Sequence, residues 1–91
     1  MSRLLHLHLK REYFDQIKSG EKKEEFRRAN DFWEKRLRNP SFDGIVLYRA
    51  YPKAGDPEKI LHRPWRGFTE KIITHPHFEN VPTRVYAIIV N

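Results

Sequence analysis

The chain has 91 residues, no Cys and a formal net charge of +6. That length suits one compact domain spanning 1–91 rather than two, and the lack of Cys excludes both a disulfide framework and a thiolate metal site. A positive balance of this size favours polyanionic partners, nucleic acid before membrane.

Residues 3–10 alternate. Leu5, Leu7 and Leu9 share one side; Leu4, His6, His8 and Lys10 share the other, which predicts a strand with one apolar face. The spacing turns helical over 11–19, where Tyr13, Phe14 and Ile17 make one apolar stripe. Asp15 and Lys18 sit a turn apart on the outside. Gly20 is the expected helix stop, because helices commonly end on a left-handed residue.

Residues 23–28 read as a second strand, with Phe26 as its core residue and Lys23, Glu25 and Arg27 on the opposite face. A short helix is expected next. Asp31 is the expected N-cap and Glu34 completes a capping-box pattern. Trp33 and Leu37 form its buried stripe, and Asn39-Pro40 ends it. Residues 43–49 carry a continuous apolar run, expected to be a strand buried on both faces.

Residues 52–64 hold three Pro and one Gly and read as a long exposed loop. Residues 65–74 are expected to be a strand, with Gly67 inside it as a bulge. His75-Pro76-His77 and Asn80-Val81-Pro82 break the pattern, and a last strand follows over 84–90. Five short strands and two short helices predict an α+β fold built as a small mixed barrel or curled sheet. Six Phe, four Tyr and two Trp supply its core. A domain of this size buries only about 60–65% of its unfolded surface.

No apolar run approaches the roughly 20 residues of a membrane span. The N-terminal run is broken by His6 and His8 and closed by Lys10 and Arg11, unlike a signal peptide. A soluble, cytoplasmic protein without membrane contact is expected.

The stretch from Lys10 to Arg28 resembles the signature of the ASCH family, a PUA-like group. That pattern is a strand ending in Lys, an amphipathic helix, then G-x-K-x-x-E-x-R, filled here by Gly20, Lys22, Glu25 and Arg27. Asp43-Gly44-Ile45-Val46-Leu47-Tyr48, Trp65-Arg66-Gly67-Phe68 and Tyr86-Ala87-Ile88-Ile89 are similar to the family's later strands. The resemblance implies a PUA-like β-barrel with a ligand cleft beside the motif, and RNA or a modified nucleoside or nucleotide as partner. It also implies two hydrolase alternatives: an amidohydrolase acting on acylated cytidine, or a ribonuclease. In the amidohydrolase branch a Thr at or near the position of Glu25 is taken as nucleophile. This chain has no Ser or Thr between Ser19 and Ser41, so Glu25 stands where that nucleophile is expected.

Lys22, Glu25 and Arg27 are the leading site candidates. A cleft for a phosphate or an amide oxygen needs a cation, and a carboxylate orients that cation or accepts a base N–H. In an enzyme, Lys22 would stabilise developing negative charge and Glu25 would move the proton. The competing reading is a solvated charge ladder on an exposed strand. His8 and Lys10 are expected as neighbours of the cleft, with His8 as a proton donor or acceptor; the alternative makes His6 and His8 half-buried wall residues. His75 and His77 lack a third ligand at metal-site spacing, so neither a metal nor a cofactor is expected.

Rings and cations also interleave at Arg28, Arg49, Tyr51, Trp65 and Arg66, a composition that suits single-stranded nucleic acid. Tyr48 and Phe26 read as core. Lys35, Arg36 and Arg38 on the short helix suit either a phosphate backbone or plain solvent. A protein-interaction module is the remaining alternative for the whole chain.

Overall fold

The computed structural model describes residues 3–38, 41–52 and 56–91. Its elements in order are β1 (Leu4–Leu9), α1 (Arg11–Ser19), β2 (Glu24–Arg28), α2 (Asp31–Arg38), β3 (Gly44–Arg49), β4 (Ile60–Arg63), β5 (Phe68–Ile73) and β6 (Thr83–Ile89). Short 3₁₀ turns lie at Pro57–Lys59 and Pro76–Phe78. The six strands form two three-stranded sheets, ordered β1-β3-β4 and β2-β6-β5. Among the described residues the expected five strands are therefore six, and the two sheets are not closed into a barrel.

In the first sheet β1 runs parallel to β3, Leu4 opposite Gly44, and β4 returns antiparallel. In the second, β6 is the central strand between antiparallel neighbours. β4 lies inside the stretch expected to be a loop. Its four residues, Ile60-Leu61-His62-Arg63, are too few to show a period between Pro57 and Pro64. β5 begins later than expected: Gly67 precedes it at φ +86 rather than bulging within it.

One core joins the sheets. Leu5, Leu7 and Leu9 of β1, Ile45 and Leu47 of β3, and Tyr86 and Ile88 of β6 meet there, with Val90 beyond. Phe14 and Ile17 fasten α1 to it and Leu37 fastens α2. Phe14 is fully buried; a ring so placed contributes roughly 2–3 kcal/mol by transfer from water. Tyr13, the third member of the expected stripe, is only half-buried.

Gly20 closes α1 at φ +92, its N–H donated to the Ile17 carbonyl. The turn then folds back, and the Lys22 N–H donates to the Gln16 carbonyl at 3.0 Å. The N-cap of α2 is Asn30, not Asp31: its Oδ1 accepts the Trp33 N–H at 3.0 Å. Glu34 pairs with Arg38 in place of the expected capping box. The expected stop at Asn39-Pro40 lies outside the described residues, as do positions 53–55 of the expected loop. Among the described residues no helix is long and apolar enough to cross a membrane.

Candidate ligand cleft between two sheet edges

β1 and β2 are edge strands of different sheets. Their unpaired sides approach each other at the C-terminal end of β1, and the Arg27 Nη2 bridges the gap by donating to the His8 carbonyl at 3.1 Å. A cavity of about 310 Å³ opens there. Lys10, Lys22, Arg27 and Arg28 line it, with Glu25 as its one carboxylate and His8 on the β1 side. Tyr13, Phe26, Trp33 and Phe78 supply its rings, and His75 and His77 complete the rim.

The local chain path explains the arrangement. The Gly20 turn carries Lys22 to the mouth. Its Nζ lies 5.3 Å from the Tyr13 ring centre and 4.5 Å from that of Phe26, an attraction of cation to ring faces. Among the described residues no carboxylate sits within ion-pair distance of this ammonium. Burial pushes the Lys22 ammonium below the usual lysine range, while Glu25 and Glu24 work against that shift.

Glu25 is only 6% exposed. Phe26, expected to be the core residue of β2, is the partly buried one, and both residues border the cavity. The Arg27 Nη2 donates to Glu25 Oε2 at 2.9 Å, and the guanidinium lies 5.2 Å from the Trp33 ring centre. Desolvation pushes the Glu25 carboxyl above the usual range, against the pull of Arg27, Lys22 and the Phe26 N–H. The Arg27 Nε is buried without a hydrogen-bond partner among the described residues. Burial also lifts the Tyr13 phenol, with Glu12 and Glu25 adding to the shift.

The His8 Nδ1 lies 3.0 Å from the Ala50 carbonyl. A carbonyl only accepts, so Nδ1 carries the proton and Nε2 is the acceptor of the neutral ring. His75 Nδ1 accepts the His77 N–H at 3.0 Å. Burial lowers the His77 imidazole, and Lys10, His75, Arg27 and Arg28 lower it further. Among the described residues no three metal-ligating side chains cluster.

The other sequence candidates divide. Arg28 joins the cleft, with its guanidinium 5.2 Å from the Phe78 ring centre. Arg49 is held by Asp15 at 3.0 Å. Trp65 packs on the core beside Phe42, and neither it nor Arg66 reaches the cavity. Tyr51 is exposed. Tyr48, expected in the core, lies between His6 and His8 on the outer sheet face. His6 and His8 are themselves exposed. Trp33, His75, His77 and Phe78 line the cleft without having been singled out for it. The only local hint was the interrupted segment around Pro76.

No protein family, no curated protein and no solved structure matches the chain.

Proposed function

We propose that the chain is an ASCH-type domain of PUA-like build, acting in the cytoplasm, that receives RNA or a modified nucleoside in the cleft between β1 and β2. The observation that carries this reading is an excess of cations in a ring-walled cavity: four cations face one carboxylate. Phosphate or carbonyl oxygens meet Lys22, a base lies against Tyr13 or Trp33, and Glu25 accepts a base N–H. The volume stands at the low end of small-molecule sites, about 300–1,000 Å³, which suits one nucleoside unit. The motif Gly20-x-Lys22-x-x-Glu25-x-Arg27, following a Gly-capped helix, supports the PUA-like reading of the two sheets.

Titration calorimetry with cytidine monophosphate, acylated cytidine and short RNA tests the proposal. Lys22→Ala is expected to abolish binding while leaving thermal stability nearly unchanged, because a half-exposed Lys adds little to folding. A variant that unfolds, or one that binds every ligand as before, would make Lys22 a structural strut.

Burial also supports a second reading, a hydrolase of the same cleft. It raises the Glu25 carboxyl and lowers the Lys22 ammonium, the direction acid–base pairs take. With Glu25 in place of a Thr nucleophile, water attacks the acyl carbon, Glu25 takes its proton and passes it to the departing cytidine amine as the C–N bond breaks, and Lys22 faces the developing oxyanion. Release of carboxylic acid from acylated cytidine, lost in Glu25→Gln, is the expected result. Binding without turnover leaves the first reading alone.

A further inference from the structure

The outer face of the β1–β3 sheet carries a row of rings outside the core. His6, Tyr48, His8 and Tyr51 follow one another, with centroid separations of 5.8, 4.6 and 4.5 Å. Their planes are inclined by only 21°, 16° and 19°. Strand register sets the middle of the row, since His8 of β1 pairs with Tyr48 of β3. Tyr51 ends it, 83% exposed, with one ring face on His8.

Tyr51 is held in this pose. Ala50 before it adopts φ +55, a left-handed conformation that L side chains resist. Two hydrogen bonds fix that residue: its N–H donates to the Leu9 carbonyl at 2.8 Å, and its carbonyl accepts from His8 Nδ1. The row joins two hollows. His8 lines the Lys22 cavity. Beyond Tyr51 lies a second cavity of about 370 Å³, bordered by Arg11, Arg49 and Lys59. Asp15 neutralises Arg49 and Asp56 neutralises Lys59. Among the described residues Arg11 has no ion-pair partner.

We propose that single-stranded RNA crosses from the Lys22 cavity over His8 to Tyr51, where the neighbouring base stacks and its phosphate meets Arg11. This rests on the reading of the cavity as a nucleoside site, and it makes the ligand a polynucleotide rather than a free nucleoside. Parallel rings beside a free cation match a repeating ligand of flat bases joined by phosphates, and stacking of this kind tolerates any base. The charge is complementary, and the occupant is continuous with the one assigned to the cavity.

The test compares cytidine monophosphate with a labelled single-stranded RNA of about eight nucleotides, a length within the usual range for such surfaces. The RNA is expected to bind about 5- to 150-fold more tightly, the value of one stacked base. Tyr51→Ala should erase that advantage and leave the mononucleotide affinity alone, while Tyr51→Phe keeps both. Arg11→Gln should lower the slope of log affinity against log salt by about 1. Unchanged RNA affinity in Tyr51→Ala overturns the path. So does an equal loss for both ligands, which would mean that Tyr51 only props His8. Wild-type protein that binds the mononucleotide without gaining from a longer chain removes the path but spares the cavity. Binding of neither ligand removes both.

Discussion

Two charge clusters sit on opposite edges of the β2-β6-β5 sheet and behave differently. On the β5 edge, Glu70 takes Arg38 at 2.6 Å and Arg84 at 3.1 Å, and Arg38 also holds Glu34. These side chains stay well exposed, and hydrogen bonds from Arg84 and Arg38 hold the Glu70 carboxyl below the usual range. On the β2 edge, Glu25 has a comparable arginine partner, yet its carboxyl moves the other way because water is excluded. Residue types and pair distances are alike in the two places, 2.9 Å for Glu25 against 2.6 and 3.1 Å for Glu70, although Glu70 holds two arginines and Glu25 one. Access to water separates a satisfied surface network from a poised cleft.

The sharpest way to break this comparison is Arg27→Met. It strands the buried Glu25 charge and removes the link to the His8 carbonyl, so a loss of about 3 kcal/mol in urea unfolding is expected, the low end for a buried pair because the guanidinium keeps some solvent. A loss under about 1 kcal/mol would place the pair in effect at the surface.

A smaller effect concerns acid. His77 is held below its ordinary value of 6.5 by burial and by the cations around it. Between the lowered value and 6.5 the unfolded chain binds the proton better than the folded one. Stability therefore rises with pH across that window and falls on acidification through it. His77→Gln should flatten this limb of the stability curve, and a ligand phosphate in the cleft should raise the imidazole, as followed by NMR titration. An unaltered limb in His77→Gln would show that the cleft's positive field does not reach this ring. The smallest expected effect is at Glu70. Glu70→Gln should leave the unfolding midpoint nearly unmoved at physiological salt. If it instead matches Arg27→Met, burial is not what distinguishes the two edges.

Local pattern made much of the frame legible. The alternation of Leu5, Leu7 and Leu9, the helical stripe ended by Gly20, and the run through Ile45-Val46-Leu47 each encode their own burial. What stayed hidden depended on distant partners. Arg49 looked free because Asp15, its counter-ion, lies 34 positions away. Glu25 is expected at a cleft with Lys22 and Arg27, but period two assigns only its face and does not say how deeply that face is buried. Trp33 reaches the cavity from a segment that carries no mark of it, and His75, His77 and Phe78 from one marked only by the interruption around Pro76. The Asn30 cap was displaced by one residue, because Asn30 and Asp31 are both good caps and only the backbone turn chooses between them.

The sheet order also governs when the domain can form. β1 has no strand partner until β3 exists, and β2 and β5 pair only through β6, which spans Thr83–Ile89. A chain emerging residue by residue therefore holds Glu25, Arg27 and the apolar face of β1 unsheltered until β6 is out. Assembly is then a late, collective event dominated by distant pairings, a topology that slows folding. The two edges that make the cleft are brought together only in that last step.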